Sequence, residues 1–206
     1  MSTVTFASKC WGGDYKKFLA GAFERKRDAI EYSFSHQVLL INNGVPEDID
    51  FGSISTIRVN PEVSQTIFRV NNANHYATGE LSAIFASGFD SYLCYIQGDC
   101  ITQGGDWVTP GIAILESEPD VMVISPHSEV NTWHDKDGYD HYMSDQAWLV
   151  RVSDFLKPEV YQVEGTDPDY PSYALDSFEA LVGRYLKSSG KKRKILSDFY
   201  VQHPTY

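Results

Sequence analysis

Apolar residues follow two alternating patterns along the first half of the chain. Short apolar runs of the kind buried in a parallel sheet occur at Val4–Ala7, Gln37–Ile41 and Ser91–Ile96. Between them, apolar side chains recur at three- and four-residue spacing, which predicts one helix over Tyr15–Phe23 and another over Asn74–Ala86. Strands that alternate with helices indicate a parallel sheet with helices on its faces.

The remaining elements are less regular. We predict strands at Ser55–Val59, Ile112–Leu115, Val121–Ser125 and Ile195–Val201, a helix over Asp145–Val152 capped by Ser144, and a helix from Asp176 to Lys187 that Gly190 ends. No linker-like segment divides the chain, so residues 1–206 are predicted to form a single domain. The expected fold class is α/β: a Rossmann-like, mostly parallel central sheet flanked by helices, with a small antiparallel extension in the second half.

Composition narrows the function classes. The 206 residues are 42% hydrophobic and 14% aromatic, which suits a globular domain with a real core. Seventeen Lys and Arg against 28 Asp and Glu give a net charge of −11, so the broad positive footprint that duplex nucleic acid needs is lacking. No long apolar run predicts a membrane span and no signal peptide is visible. The three cysteines favour a reducing compartment, and we expect a cytoplasmic protein.

Polar or glycine-rich segments follow three of the predicted strands, at Ser8–Asp14, Asn42–Gly44 and Gln97–Thr102. In open α/β sheets, ligands bind beyond the carboxyl ends of the strands, so we expect these segments to meet at one pocket. Asp99 leaves the end of a buried strand, where its carboxylate suits a divalent cation that bridges phosphates. The alternative is a turn aspartate that accepts hydrogen bonds from nearby backbone N–H groups.

The segment Tyr92–Cys100 resembles the strand-plus-acid segment of GT-A-type nucleotide-diphospho-sugar transferases, in which a strand ends in an Asp-x-Asp motif that binds the metal and the sugar-diphosphate. Val4–Asp14 resembles the first nucleotide-binding loop of that superfamily, and Val38–Asp48 resembles its strand after the first helix. His141–Gln146 is similar to the Ser-Asp-Gln helix start of several of these families. The resemblance covers roughly residues 3–155, and the order of the motifs carries it.

The resemblance implies a glycosyltransferase that moves a sugar from a nucleotide-diphosphate donor to the hydroxyl of a carbohydrate or another acceptor. Asp145 would act near the anomeric carbon or as the base, and Asp99 with His203 would bind the metal. Contacts to the nucleotide and diphosphate are expected from Ala7, Ser8, Asp14, Asn42, Asn43, Gly98 and Asp99. Two alternatives stay open: a non-catalytic nucleotide- or sugar-binding module, and a nucleotidyltransferase, which would need a more basic first loop than Lys9–Gly13.

One position departs from the family pattern. Gln97 stands where the family has its first acid, and an amide is a weak neutral ligand, so Mn²⁺ or Mg²⁺ binding should be weakened. Another cation would then have to neutralise the diphosphate, and Lys191 and Lys192 belong to the candidate basic cluster. The alternative is a solvated helix end whose cations complement the helix dipole. On this account we expect EDTA to reduce activity only partly.

Aromatic residues in polar loops are the acceptor candidates. Trp107, Trp133 and His134 lie in such loops, where an indole ring can stack on a sugar face. The alternative is that the tryptophans pack in the core or against loops. The signatures of P-loop kinases, NAD-dependent Rossmann enzymes, α/β-hydrolases and zincins are absent from the sequence, which disfavours those classes.

Overall fold

The computed structural model describes residues 2–70, 75–128, 135–144, 146–165 and 177–202, with the side chains of 75 and 76 excluded. Its strands are β1 (Val4–Cys10), β2 (His36–Ile41), β3 (Thr56–Arg58), β4 (Tyr92–Ile96), β5 (Ile101–Gln103), β6 (Val121–Ser128), β7 (Tyr139–Asp140), β8 (Ala147–Arg151) and β9 (Lys192–Gln202). Its helices are α1 (Tyr15–Leu19), α2 (Ala22–Asp28), α3 (His75–Ala86), α4 (Val108–Ser117), α5 (Val152–Phe155) and α6 (Phe178–Ser189). A π-helical turn (Val63–Ile67) and a 3₁₀ turn (Pro158–Tyr161) complete the described elements.

The described strands form one sheet in the order β3-β2-β1-β4-β8-β6-β9-β5, and β7 pairs with β9 beside this path. Strands β3, β2, β1 and β4 are mutually parallel, and β6 is parallel to β9. Strand β8 is antiparallel to both of its neighbours, while β5 and β7 run antiparallel to β9. The predicted α/β fold, with a mostly parallel sheet and antiparallel pairing in the second half, is confirmed.

Helices cover both faces of the sheet because side chains alternate along each strand. On one face, Ala7 and Leu40 belong to a core cluster that includes Leu81 of α3 and Leu186 of α6. On the other face, a second cluster is built from the neighbouring strand positions and from α1, α2 and α4, with members that include Phe6, Leu39, Phe18, Phe23 and Leu115. The strand ends that emerge between these two layers are therefore the places where polar side chains reach solvent.

Two predicted elements are wrong, each for a physical reason. Ile112–Leu115 lies inside helix α4, whose first turn is capped by Asp106 Oδ1, which accepts hydrogen bonds from N of Val108 and Thr109 at 3.0 and 2.9 Å. A four-residue apolar run cannot by itself distinguish a strand from a buried helix turn. Strand β8 replaces the helix predicted over Asp145–Val152, because this segment fills the sheet between β4 and β6.

The first predicted helix is also divided. Gly21, at a φ of +82°, separates α1 from α2. A glycine adopts this left-handed conformation without a Cβ penalty, and the break changes the direction of the chain. Within α2, Lys26 lies in the protein interior, where it is 3% exposed.

Candidate functional site

The carboxyl ends of β1, β2 and β4 surround a cleft of about 400 Å³. Its described lining residues are Lys9, Trp11, Asn42, Asn43, Gln97, Gly98 and Asp99. The three strand ends that the sequence marked as polar thus meet at one site. We call this site the strand-end cleft.

Two glycines allow the loops around the cleft to approach each other closely. A Cβ on Gly12 would lie 2.6 Å from the carbonyl oxygen of Gly44, and a Cβ on Gly98 would lie 2.2 Å from the carbonyl oxygen of Lys9. Both distances are shorter than van der Waals contact permits. The loop after β1 is also joined to the loop after β2 by a 3.1 Å hydrogen bond from N of Gly12 to O of Asn43.

A buried ion pair lies at the floor of the cleft. Lys9 Nζ is 2.7 Å from Glu80 Oε1 of helix α3, and the two side chains are 5% and 1% exposed. The Tyr95 hydroxyl donates to the same Glu80 oxygen at 2.8 Å. Among the described residues, Glu80 Oε2 has no hydrogen-bond partner. The positive charge of Lys9 is therefore largely offset before any ligand binds.

Asp99 lies in a tight turn that follows β4. N of Cys100 donates to O of Gln97 at 3.1 Å, which closes the turn, and Asp99 is half-buried at the cleft. Beneath the turn, Lys26 Nζ donates to O of Gln97 at 3.1 Å and to O of Cys100. Burial lowers the pKa of Lys26 to about 8, against the opposing attraction of Cys100 and Asp99.

Three residues that the resemblance implied as nucleotide contacts, in β1 and in the loop after it, are less accessible than expected. Ala7 and Ser8 are both fully buried within the strand. Asp14 is 5% exposed and pairs with Lys17 at 2.9 Å at the start of α1, so its carboxylate already has a cationic partner. Burial raises the pKa of the Cys10 thiol to about 12, which leaves it protonated at neutral pH and a poor nucleophile.

The exposures of Trp107 and Trp11 differ from what the sequence suggested. Trp107, a predicted acceptor contact, is fully buried at the start of α4, so that prediction is corrected: its ring packs in the core. Trp11 is 54% exposed and lines the cleft. Sequence reasoning missed Trp11; its position directly after a predicted buried strand is the signal that could have found it.

Lys191, which directly precedes β9, and Lys192, the first residue of β9, are not near the cleft. Strand β8 is antiparallel to β4 and to β6, and β9 is parallel to β6. The start of β9 therefore lies at the amino-end edge of the sheet, roughly 17 Å of strand away from the edge where Asp99 lies. Lys191 Nζ is 3.3 Å from Asp120 Oδ1, and Lys192 lies over the Tyr139 ring at 5.5 Å. The structure does not bring these lysines to the predicted diphosphate-binding site at Asp99.

Several predicted residues lie outside the described part of the chain. These are the catalytic candidate Asp145, the acceptor candidates Trp133 and His134, and the tentative metal ligand His203. Their predicted roles stay predictions.

The donor set of the cleft suits a hard cation that is shared with a ligand. Asp99 and Gln97 supply carboxylate and amide oxygens at the end of β4. Within the described residues no group of three or more His, Cys, Asp or Glu side chains could hold a metal ion. Mg²⁺ is commonly bound by one or two carboxylates together with substrate phosphates and waters, so a single carboxylate fits that mode.

A second cleft, of about 440 Å³, lies along β9 beside the end of β6 and is lined by residues that include His127, Lys136, Lys194 and Tyr200. The rings of His127 and Tyr200 meet edge to face, with centroids 5.5 Å apart. Gln146, directly before β8, links the carboxyl ends of β4 and β6. Its backbone O accepts a hydrogen bond from N of Gln97 at 2.8 Å, and its side-chain oxygen accepts one from the Ser128 hydroxyl at 2.6 Å. His127, near the carboxyl end of β6, lies toward the same edge of the sheet as the first cleft, whereas Lys194 and Ile195 line the second cleft farther back along β9.

No protein-family model and no curated protein sequence matches the chain. Solved structures match over nearly its whole length. A structure of CMP:2-keto-3-deoxy-manno-octonic acid synthetase with CTP has a TM-score of 0.57 at 11% identity, with 95% of this chain and 90% of that chain covered. Glucosyl-3-phosphoglycerate synthase from Mycobacterium tuberculosis, with Mg²⁺ and UDP, has a TM-score of 0.55 at 7% identity, with coverages of 100% and 72%.

The chain has a GT-A-like α/β fold, which it shares with these two structures. A197 from STIV has the same overall fold, with a TM-score of 0.52 and 12% identity over 99% of this chain and 86% of that chain. Another structure of the glucosyl-3-phosphoglycerate synthase contains Mn²⁺, UDP-glucose and phosphoglyceric acid. At these identities the comparison establishes the fold, and the chemistry has to be argued from the cleft itself. No described helix has the length and apolar character needed to cross a membrane.

Proposed function

We propose that the strand-end cleft binds a nucleotide-diphospho-sugar and that the protein transfers the sugar to an acceptor hydroxyl. The observation that carries the proposal is the convergence of three strand ends on one cleft, with the partly exposed carboxylate of Asp99 among its lining residues. In a mostly parallel sheet, this edge is where ligands bind. The GT-A-like fold supports the same class of ligand.

The base, the ribose and the diphosphate of the nucleotide-sugar donor can each be matched to residues that line the cleft. The exposed indole of Trp11 offers a flat surface for a nucleobase, and the amide side chains of Asn42 and Asn43 offer donors and acceptors for the base or ribose. Asp99 and Gln97 would hold Mn²⁺ or Mg²⁺, which when bound supplies charge neutralisation to the departing diphosphate. We assign Lys9 to the floor of the diphosphate site.

The reaction breaks the bond between the anomeric carbon and the diphosphate oxygen and forms a bond from that carbon to the acceptor oxygen. The nucleoside diphosphate leaves, and the acceptor proton passes to a base, the role predicted for Asp145. The contribution of the described residues is to position the donor. Positioning and charge complementarity are the main sources of rate in such transfers.

We place the acceptor in the second cleft. The pairing of β4, β8 and β6 puts the ends of β4 and β6 two interstrand spacings apart, roughly 10 Å. That spacing suits a donor and an acceptor that react across the common edge. The lining by His127, Lys136 and Tyr200 supplies hydrogen-bonding groups that suit a polar acceptor.

A nucleotidyltransferase is the second candidate, and the similarity to the CMP:2-keto-3-deoxy-manno-octonic acid synthetase structure is the observation that favours it. The first loop argues against it. A triphosphate substrate needs several cations or N–H donors, whereas Lys9 is the cation at the end of β1 and is paired with Glu80. Incubation with CTP and a sugar acid, followed by assay for pyrophosphate, would distinguish the two activities.

The experiment that tests the proposal is a thermal-shift screen with UDP, GDP, CDP and dTDP, each with and without Mn²⁺. A ligand that binds the native state raises the melting temperature, so at least one nucleotide should stabilise the protein. Asp99→Asn should remove this stabilisation and the turnover of the matching nucleotide-sugar, while the melting temperature without ligand changes little because Asp99 is partly exposed. Full activity in Asp99→Asn would refute the site assignment. Nucleotide binding without transfer or hydrolysis of any common donor would favour a non-catalytic module.

A further inference from the structure

The basic run at the end of α2 contains one residue that points into the protein. Arg25 and Arg27 lie toward solvent, where Arg25 bonds O of Ala20 and Arg27 pairs with Asp28. Lys26, between them, is 3% exposed. Burial of an ammonium group costs free energy unless its N–H donors have hydrogen-bond partners. The contacts of Lys26 therefore indicate which part of the structure it stabilises.

Lys26 contacts the two ends of the turn that carries Asp99. Lys26 Nζ donates to O of Gln97 at 3.1 Å and to O of Cys100. The same Gln97 oxygen accepts from N of Cys100, which closes the turn. One ammonium group therefore ties the first and last residues of the turn from below.

The turn is also held from its other sides. N of Gln97 donates to O of Gln146 at 2.8 Å, and Gly98 packs so closely on O of Lys9 that no Cβ fits between them. Within this frame the side chains of Asp99 and Gln97 are partly exposed at the cleft, and Asp99 is the one that carries a charge. A carboxylate placed by such a frame needs no ordering when a ligand arrives.

We infer that Lys26 is a positioning residue that fixes the Asp99 turn for nucleotide binding, an inference that rests on the function proposed for the cleft. Removing the ammonium group would leave two buried carbonyl oxygens without these donors. The turn would then open more often, and Asp99 would spend less time where a metal–diphosphate complex can use it. A lysine that only filled space could be replaced by methionine, which has a similar shape, without effect on the turn.

The test compares Lys26→Met with Lys16→Met, the same substitution at an exposed position of α1. In Lys26→Met, the amide of Cys100 should exchange its hydrogen about tenfold faster or more, while amides within β4 keep their wild-type rates. The affinity for UDP with Mn²⁺ should fall by about tenfold. Lys16→Met should match the wild type in both measurements.

The exchange rate of the Cys100 amide tests the positioning role of Lys26, and the affinity for UDP tests the proposed function. If Lys26→Met is folded and its Cys100 amide exchanges at the wild-type rate, the positioning role is wrong whatever the nucleotide does. If the wild-type protein binds no UDP, the proposed function loses its support, whereas the exchange measurement still decides the role of Lys26. If Lys26→Met does not fold, the wild type decides: an unprotected Cys100 amide in the absence of nucleotide would overturn the inference.

Discussion

At the residue scale, two tryptophans in similar sequence surroundings differ in solvent exposure. Trp11 and Trp107 both lie in glycine-containing segments near predicted strands, yet one is 54% exposed at the cleft and the other is fully buried. The difference arises because Trp11 follows the carboxyl end of β1, whereas Trp107 lies at the start of a helix that packs on the sheet. The sequence predicted that the polar segments after three strands would share one cleft, which the structure shows, but it could not rank the aromatic residues around that cleft.

We expect Trp11→Ala to weaken binding of the nucleotide identified by thermal shift by about tenfold, because base–aromatic stacking contributes roughly 1–3 kcal/mol. The melting temperature without ligand should stay close to the wild-type value, since the ring is already half in solvent. Isothermal titration measures the affinity, and Trp11→Phe, which keeps an aromatic face, is the matched control. Equal affinities for Trp11→Ala and the wild type would exclude a stacking role.

At the element scale, the cleft depends on contacts between neighbouring loops and between β1 and α3. The Lys9–Glu80 pair joins these two elements, and its residues are 71 positions apart in the chain. The sequence shows a lysine at the end of an apolar run and a glutamate inside a helix, with no pattern that connects them. Only the packing of α3 on the sheet brings them together.

We expect Lys9→Met and Glu80→Gln each to lower the free energy of unfolding, with Lys9→Met near 3–5 kcal/mol because it leaves a buried carboxylate without its counter-charge. The double variant should lose less than the sum of the two single losses, since it removes both charges. Urea denaturation followed by circular dichroism gives all the required values. Strict additivity would show that the two charges do not stabilise each other.

At the scale of the whole molecule, sheet topology decides which charges can act on a ligand. The net charge is −11, and Lys191 and Lys192, at the start of β9, lie at the edge opposite the strand-end cleft. Among the described lining residues, the charges are Lys9, which is paired with Glu80, and Asp99. A diphosphate in this cleft would therefore meet no surplus of positive charge from the described residues.

This arrangement changes the metal dependence that the sequence suggested. With Lys191 and Lys192 remote from Asp99, we expect nucleotide affinity to fall by about tenfold or more when Mn²⁺ is replaced by EDTA, because an added cation must supply the neutralisation. Titration of the nucleotide in each buffer measures the effect, and Lys192→Met should behave as the wild type in both. An affinity that EDTA leaves within twofold would show that residues of the chain supply the cation instead.

The amino-acid sequence by itself determined the class of fold and the edge of the sheet at which the strand-end cleft lies. Strand-length apolar runs that alternate with helical periodicity require a parallel sheet, and the polar segments after Val4–Cys10, His36–Ile41 and Tyr92–Ile96 then have to meet at one edge, because parallel strands end together. Local patterns failed where partners distant in sequence decided the outcome. The segment Ala147–Arg151 forms strand β8 because it pairs with both β4 and β6, and Lys26 hydrogen-bonds the Asp99 turn, which is 71 or more positions away in the chain.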